Sequence, residues 1–123
     1  MPKPPRWTRE EWDVANVALW MRCGGACWWC LRPLENSADR HHRQRKRDGG
    51  DSYANVILLH PRCHNMGHGS VHGNPDEAKE RGFIVPPWSD AVTAPIFARN
   101  NWWLLDLTGG MAQTHSPDAA APL

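Results

Sequence analysis

The sequence predicts a small single-domain α+β fold, and three observations carry the prediction. One amphipathic helical pattern near the N-terminus is followed by short β-branched and apolar runs rather than by further long helices. Cysteine and histidine occur as two closely spaced pairs, at 27/30 and 60/63, a spacing that pins a small core with a metal. The 123 residues have room for one domain, and about a hundred of them are packable once the termini are set aside, a size at which a structural metal commonly supplements the core.

Taken in order, residues 1–7, with Pro2, Pro4 and Pro5, are too poor in packable side chains to order and are expected to be disordered. Thr8 and Glu11 read as a capping box. Trp12, Ala15, Leu19 and Arg22 then recur at helical spacing until Gly24-Gly25, predicting a helix over 9–22 that buries Trp12, Leu19 and part of Met21. Cys27-Trp28-Trp29-Cys30 has the shape of a metal knuckle. A strand around 38–43 follows, and Arg45 to Ser52, interrupted by Gly49-Gly50, is expected to be a mobile basic loop. Ala54 to Leu59 predicts a buried second strand. Asn74-Pro75-Asp76-Glu77 supplies a cap, a first-position proline and acidic first-turn residues for a short helix over 75–81, stopped by Gly82. Phe83-Ile84-Val85, Ala94–Ala98 and Trp102–Leu107 read as strands, the last two forming a C-terminal β-hairpin through Asn100-Asn101. The folded domain is thus expected over 8–107, with 108–123 a disordered tail rich in Gly, Ala and Pro.

Composition excludes some partners and leaves others open. No apolar run is long enough to cross a bilayer, and the N-terminus lacks the basic-then-apolar pattern of a signal peptide, so the expectation is a cytosolic, reducing location without membrane contact. There, cysteines serve as metal ligands or free thiols rather than disulfides. A net charge of +1 conceals Arg40, Arg43, Arg45, Lys46 and Arg47 packed into eight positions. Cys27-x-x-Cys30 and His60-x-x-Cys63 offer four soft or borderline ligands, as a closed tetrahedral zinc site requires, and the zinc would pin the 29 residues between them. Cys23 is left as a free thiol. The eight tryptophans are assigned mostly to core packing rather than to base stacking.

Six of the seven histidines fall between 41 and 72. The order His41-His42, Asn55 thirteen positions on and Cys63-His64 nine after that, together with Cys27, Cys30, Leu58, Leu59 and the ending His72-x-x-Pro75, resembles the HNH endonucleases, also called ββα-metal or His-Me finger nucleases. The resemblance spans roughly residues 20–86. Residues 76–85, with an Ala-x-x-x-Gly-x-Ile-Val stretch, are similar to small phage-encoded members of the family.

The resemblance implies a ββα-metal core over about 27–82, a metal-dependent hydrolysis of DNA phosphodiester bonds, and a role for each matching residue. His42 would be the general base, and Asn55 would hydrogen-bond across the ββ loop and so hold it in orientation. His41 and His64 would bind the catalytic divalent ion, whether Mg, Mn, Ni or Zn. The third ligand is open between His72, which matches the phage-type ending, and His68, which has the i, i+4 spacing from His64; the glycines around His68 make a poor helix and favour His72. Arg40, Arg43, Arg45, Lys46 and Arg47 flank the base, where a phosphate backbone must enter. The same resemblance implies a host-cytoplasmic, phage-encoded protein acting beside the large subunit of a DNA-packaging terminase. The competing reading is a non-catalytic zinc module that binds nucleic acid through the basic loop.

Overall fold

The computed structural model describes residues 3–35 and 37–117. Helix α1 spans Arg9–Arg22, and its start is the expected capping box: the Thr8 side chain accepts from the Glu11 N–H while the Glu11 carboxylate accepts from the Thr8 N–H. Ala15 and Leu19 are buried and Trp12 is half-buried. Met21, expected to be partly buried, is 73% exposed. Nine residues at about 100° each place it on the face opposite Trp12. In the last turn Arg22 donates to the carbonyls of Tyr53 (2.6 Å) and Val56 (2.8 Å), tying α1 to the start of the second strand.

Strand β1 (Asp39–His42) pairs antiparallel with β2 (Val56–Leu59), with His41 opposite Ile57 and His42 opposite Val56. All four β2 residues are buried, as an unbroken apolar strand demands. Pro61 then opens a short helix, α3 (Pro61–Asn65), completing a ββα unit. The segment between the strands is not the mobile loop expected. It contains a four-residue helix, α2 (Lys46–Gly49), and its glycines serve packing, since a Cβ on Gly49 would lie 2.6 Å from Gln44 Oε1 and 2.8 Å from Asn55 Nδ2. The N-terminal segment expected to be disordered joins this loop instead. Pro5 accepts from the Asp51 N–H (2.7 Å) and the Trp7 N–H donates to Asp51 Oδ2 (2.9 Å).

Helix α4 (Pro75–Glu80) forms as predicted, although Asn74 does not cap it. Its side-chain amide reaches back to the carbonyls of His68 and Ser70. Gly82 ends this helical segment at φ 78°, where a Cβ would collide with the Pro95 carbonyl at 2.1 Å. Phe83–Val85 is not the strand expected, because the N–H groups of Phe83 and Ile84 both turn back to the Ala78 carbonyl and leave no ladder to form. Beyond it, β3 (Ile96–Ala98), β4 (Asn101–Leu105) and β5 (Met111–Thr114) form a three-stranded antiparallel sheet.

The β3–β4 turn is Arg99-Asn100, one residue earlier than predicted, with both residues at positive φ (54° and 60°), as a tight two-residue hairpin requires. Strand β5 lies inside the tail expected to be disordered. Asp106 organises it, its Oδ1 accepting from the N–H groups of Thr108 and Gly110, both at 2.8 Å. Residues 1–2 and 118–123 of the two expected disordered segments lie outside the described residues. The core collects Leu19, Trp28, Leu34, Val56, Leu59, Phe83 and Ile96, so α1, the ββα unit and the C-terminal sheet share one interior. Among the described residues no helix is long and apolar enough to cross a membrane.

Candidate active site

Among the described residues, ligand-type side chains gather in two clusters. In the first, Cys27, Cys30, His60 and Cys63 bring one ligand atom each within 4.8 Å of one another. Cys30 Sγ is 3.1 Å and Cys63 Sγ 3.9 Å from His60 Nδ1. His60 Nε2 donates to the Pro33 carbonyl at 2.9 Å, which fixes the tautomer and leaves Nδ1 as the free lone pair facing the thiols. These separations and this donor set fit a tetrahedral zinc, with its metal–ligand bonds of about 2.0–2.3 Å. Crowding already separates the thiols. Burial, then Cys27, pushes Cys63 up to about 12, whereas Cys30 is driven down because backbone and side-chain hydrogen bonds outweigh its burial. Cys23 lies outside the cluster, a buried free thiol whose Sγ meets the Trp20 carbonyl.

In the second cluster His41, His64 and His72 converge. Their ring centroids are 5.1 Å (41–64), 5.4 Å (41–72) and 4.9 Å (64–72) apart, and one ring nitrogen of each lies within 4.8 Å of the others. Two of the three rings are held from behind: His41 Nε2 by the Phe83 carbonyl at 2.6 Å and His64 Nδ1 by Asp39 Oδ2 at 2.9 Å. Each therefore keeps its other nitrogen for the cluster. Burial, outweighing the Phe83 bond, pushes His41 down to about 3; burial and the neighbouring His64 lower His72 as well. Three imidazoles with a ring nitrogen each turned toward a common point suit a divalent ion with open positions.

His72 arrives there because the segment after α3 folds back. Val71 N–H donates to Cys63 O and His72 N–H to His64 O, while Asn74 and Ser70 close residues 66–70 into a loop. His68 sits in that exposed loop and is outside the cluster, which His72 joins.

His42, the neighbour of His41, faces a different partner. Its Nε2 meets Asp51 Oδ1 at 2.8 Å, and Asp51 is 2% exposed. Burial raises the Asp51 carboxyl, but the His42 bond and the Trp7 N–H outweigh it and hold Asp51 below its ordinary 3.8. Asn55 makes hydrogen bonds across the ββ loop, as expected, rather than one to His42 itself. Its Oδ1 accepts from the Gln44 N–H (2.7 Å) and its Nδ2 donates to the carbonyls of Gln44 (2.8 Å) and Gly50 (2.9 Å). Asn55 thus closes the ββ loop, and the closed loop carries Asp51 to His42.

The basic cluster divides. Arg45 and Arg47 line a cleft of about 680 Å³ shared with His41, His42 and His72; Arg40 and Lys46 line a smaller one shared with Asp39, His42 and His64. His42 therefore stands between two cationic flanks. Arg40 also stacks over Trp12 at 4.3 Å. Arg43 is not a surface phosphate contact. It is 1% exposed, and its guanidinium donates to the carbonyls of Gly82, Ala54, Ala91 and Ala94. His41 and Arg43, two residues apart, are both buried, while His42 between them is partly exposed.

Asp51, Asp39 and Gln44 were missed from the sequence. Asp51 had a faint signal, as an acid next to Gly49-Gly50 in an otherwise basic loop, while Asp39 and Gln44 had none beyond adjacency to the histidine pair.

No curated protein and no solved structure matches the chain. Residues 27–70, from the first cysteine of the knuckle through the ββ loop to the segment that returns His72, match the family model described as HNH endonuclease. That match is the one similarity to a known family among these comparisons, and it covers the ββα unit on which His41, His42, Asn55 and His64 are placed.

Proposed function

We propose that the protein is a metal-dependent endonuclease that hydrolyses DNA phosphodiester bonds. The observation that carries the reading is the convergence of His41, His64 and His72 next to a His42 held by a buried carboxylate. A bare zinc module has no use for that second constellation.

His42 is the general base. With Nε2 occupied by Asp51, Nδ1 is the nitrogen left to take a proton from water, and the carboxylate stabilises the imidazolium that results. Asp51 is a positioning residue and Asn55 supports it by holding the loop. A divalent ion such as Mg, Mn, Ni or Zn at His41, His64 and His72 supplies charge stabilisation for the scissile phosphate and the leaving oxygen. Asp39 and the Phe83 carbonyl orient two of those ligands. Arg40, Arg45, Lys46 and Arg47 bind the phosphate backbone on either side of His42. Cys27, Cys30, His60 and Cys63 hold a structural zinc that fixes β2 and α3 against the knuckle.

Plasmid nicking with added divalent ion tests the reading. Wild type should nick and His42→Ala should lose most of the rate; nicking that persists in the variant removes His42 as the base. Binding without nicking by wild type favours the non-catalytic zinc module. One such site cuts one strand, so double-strand cleavage requires a dimer or a partner. The similarity of residues 76–85 to phage-encoded members extends the proposal to DNA packaging beside a terminase large subunit. A pull-down with the cognate subunit that recovers nothing removes that extension.

A further inference from the structure

The two residues that follow His42 bolt one wall of the active-site cleft in place. The Val85 N–H donates to the Arg43 carbonyl at 2.8 Å, and Arg43 holds the carbonyls of Gly82, Ala91 and Ala94. Gln44 Nε2 donates to the carbonyls of Pro86 and Ser89, both at 2.9 Å. Gln44 is itself clamped by Asn55 at both its N–H and its C=O. The segment 82–94 is therefore fixed to the two residues that directly follow His42.

Trp88 stands at the crest of this wall. It is 86% exposed, the most exposed large apolar side chain among the described residues, and it lines the same cleft as His41, His42, Arg45 and Arg47. Leaving an indole in water forgoes the burial that normally places tryptophan inside. Here the surrounding backbone is anchored, and the exposed ring shares its cleft with Arg45 and Arg47. Bases in an intact duplex have both faces covered by their neighbours, so such a face can be used only by a base that has left the stack.

We propose that Trp88 is a base-stacking residue that determines specificity, and that the preferred substrate presents an unpaired nucleobase, in single-stranded or locally opened DNA, beside the phosphate at His42. The substrate class rests on the nuclease reading above; the stacking contact does not.

The test compares wild type, Trp88→Ala and Trp88→Phe. Binding is read by fluorescence anisotropy on a short labelled single strand and on the paired duplex of the same sequence, and cleavage on the same DNAs with added divalent ion. Trp88→Ala should weaken single-strand binding by about ten-fold, the scale of one stacked base, while duplex binding stays unchanged. The loss in kcat/KM should fall on KM, and Trp88→Phe should recover most of it. An abasic residue in the strand should reproduce the loss in wild type and add nothing to Trp88→Ala. Equal loss on paired and unpaired DNA overturns the proposal. So does no loss on either, which would assign the exposed indole to another partner such as a protein. Wild type that binds with the expected preference but cuts nothing sinks the nuclease reading and leaves stacking intact; wild type that cuts, with Trp88→Ala silent, does the reverse.

Discussion

Replacing Arg43 by methionine should cost the fold rather than DNA affinity, and the structure sets the scale. The guanidinium donates to four backbone carbonyls, at 2.9 Å (Gly82), 2.9 Å (Ala54), 3.1 Å (Ala91) and 2.7 Å (Ala94). Hydrogen bonds from a charged donor contribute roughly 1.5–3 kcal/mol each, and every carbonyl left buried without a donor carries a desolvation cost of similar size. Against this, burial, followed by repulsion from Arg22, pushes the guanidinium down to about 9, which puts the cost of bringing the charge inside at about 5 kcal/mol. The balance remains several kcal/mol in favour of the native arginine, a large share of a domain stability of about 5–15 kcal/mol. Arg43→Met should therefore lower Tm by more than about 10 °C in a thermal melt followed by circular dichroism. The matched control is Arg45→Met, exposed in the cleft, which should leave Tm nearly unchanged and reduce the salt dependence of DNA binding by about one counterion. If Arg43→Met melted like wild type and instead reduced the salt slope, the buried-clamp argument would be wrong and the phosphate contact expected from the sequence would be right.

Other outcomes follow from the same geometry. Asp51→Asn should lower kcat by about 10- to 100-fold with little change in divalent-ion affinity, because it disturbs His42 and not the three-histidine cluster; steady-state kinetics with metal titration reads this. Asp51 is also held below its ordinary 3.8 in the folded state, so its stabilisation is complete above that value and is lost as pH falls through the lower folded value. Acid melts of wild type should consequently show a loss below about pH 3.8 that Asp51→Asn lacks. His72→Ala should abolish binding of the catalytic ion, measured by calorimetry, whereas His68→Ala should retain it; the reverse result would place the third ligand in the loop. Cys63→Ala should lose one equivalent of zinc by elemental analysis and melt several degrees lower, while His72→Ala keeps that zinc.

Much of the fold could be read before the coordinates, and the reason differs from element to element. Helix α1 came out residue for residue because its signals are local: Thr8 and Glu11 cap it and Gly24-Gly25 stop it. Helix α4 forms within a residue of its expected span from Pro75 and the acidic first turn, although Asn74 does not cap it, and the two closely spaced ligand pairs are local in the same way. Where local signals compete with distant partners, the expectation failed. Phe83-Ile84-Val85 has strand composition, but its amides close onto Ala78 and its neighbours wrap Arg43. The tail reads as too poor to pack, yet Asp106 templates a turn that lets Met111–Thr114 add to a strand already present. Proline-rich residues before α1 acquire a partner only because the closed ββ loop presents Asp51.

The candidate site divides along the same line. The sequence by itself determined the kinds of chemistry available: a CxxC and an HxxC half-site for a metal, an adjacent histidine pair, an asparagine at the right distance and a local excess of positive charge. These are properties of residue type and short spacing, which one chain displays without folding. Tertiary structure alone decided which groups meet. It brought His72 rather than His68 to His41 and His64, gave His42 a buried aspartate and withdrew Arg43 from the surface. Each of these depends on where the backbone returns after tens of residues, and that return is fixed by burial and hydrogen-bond closure across the whole domain, which no window of sequence contains.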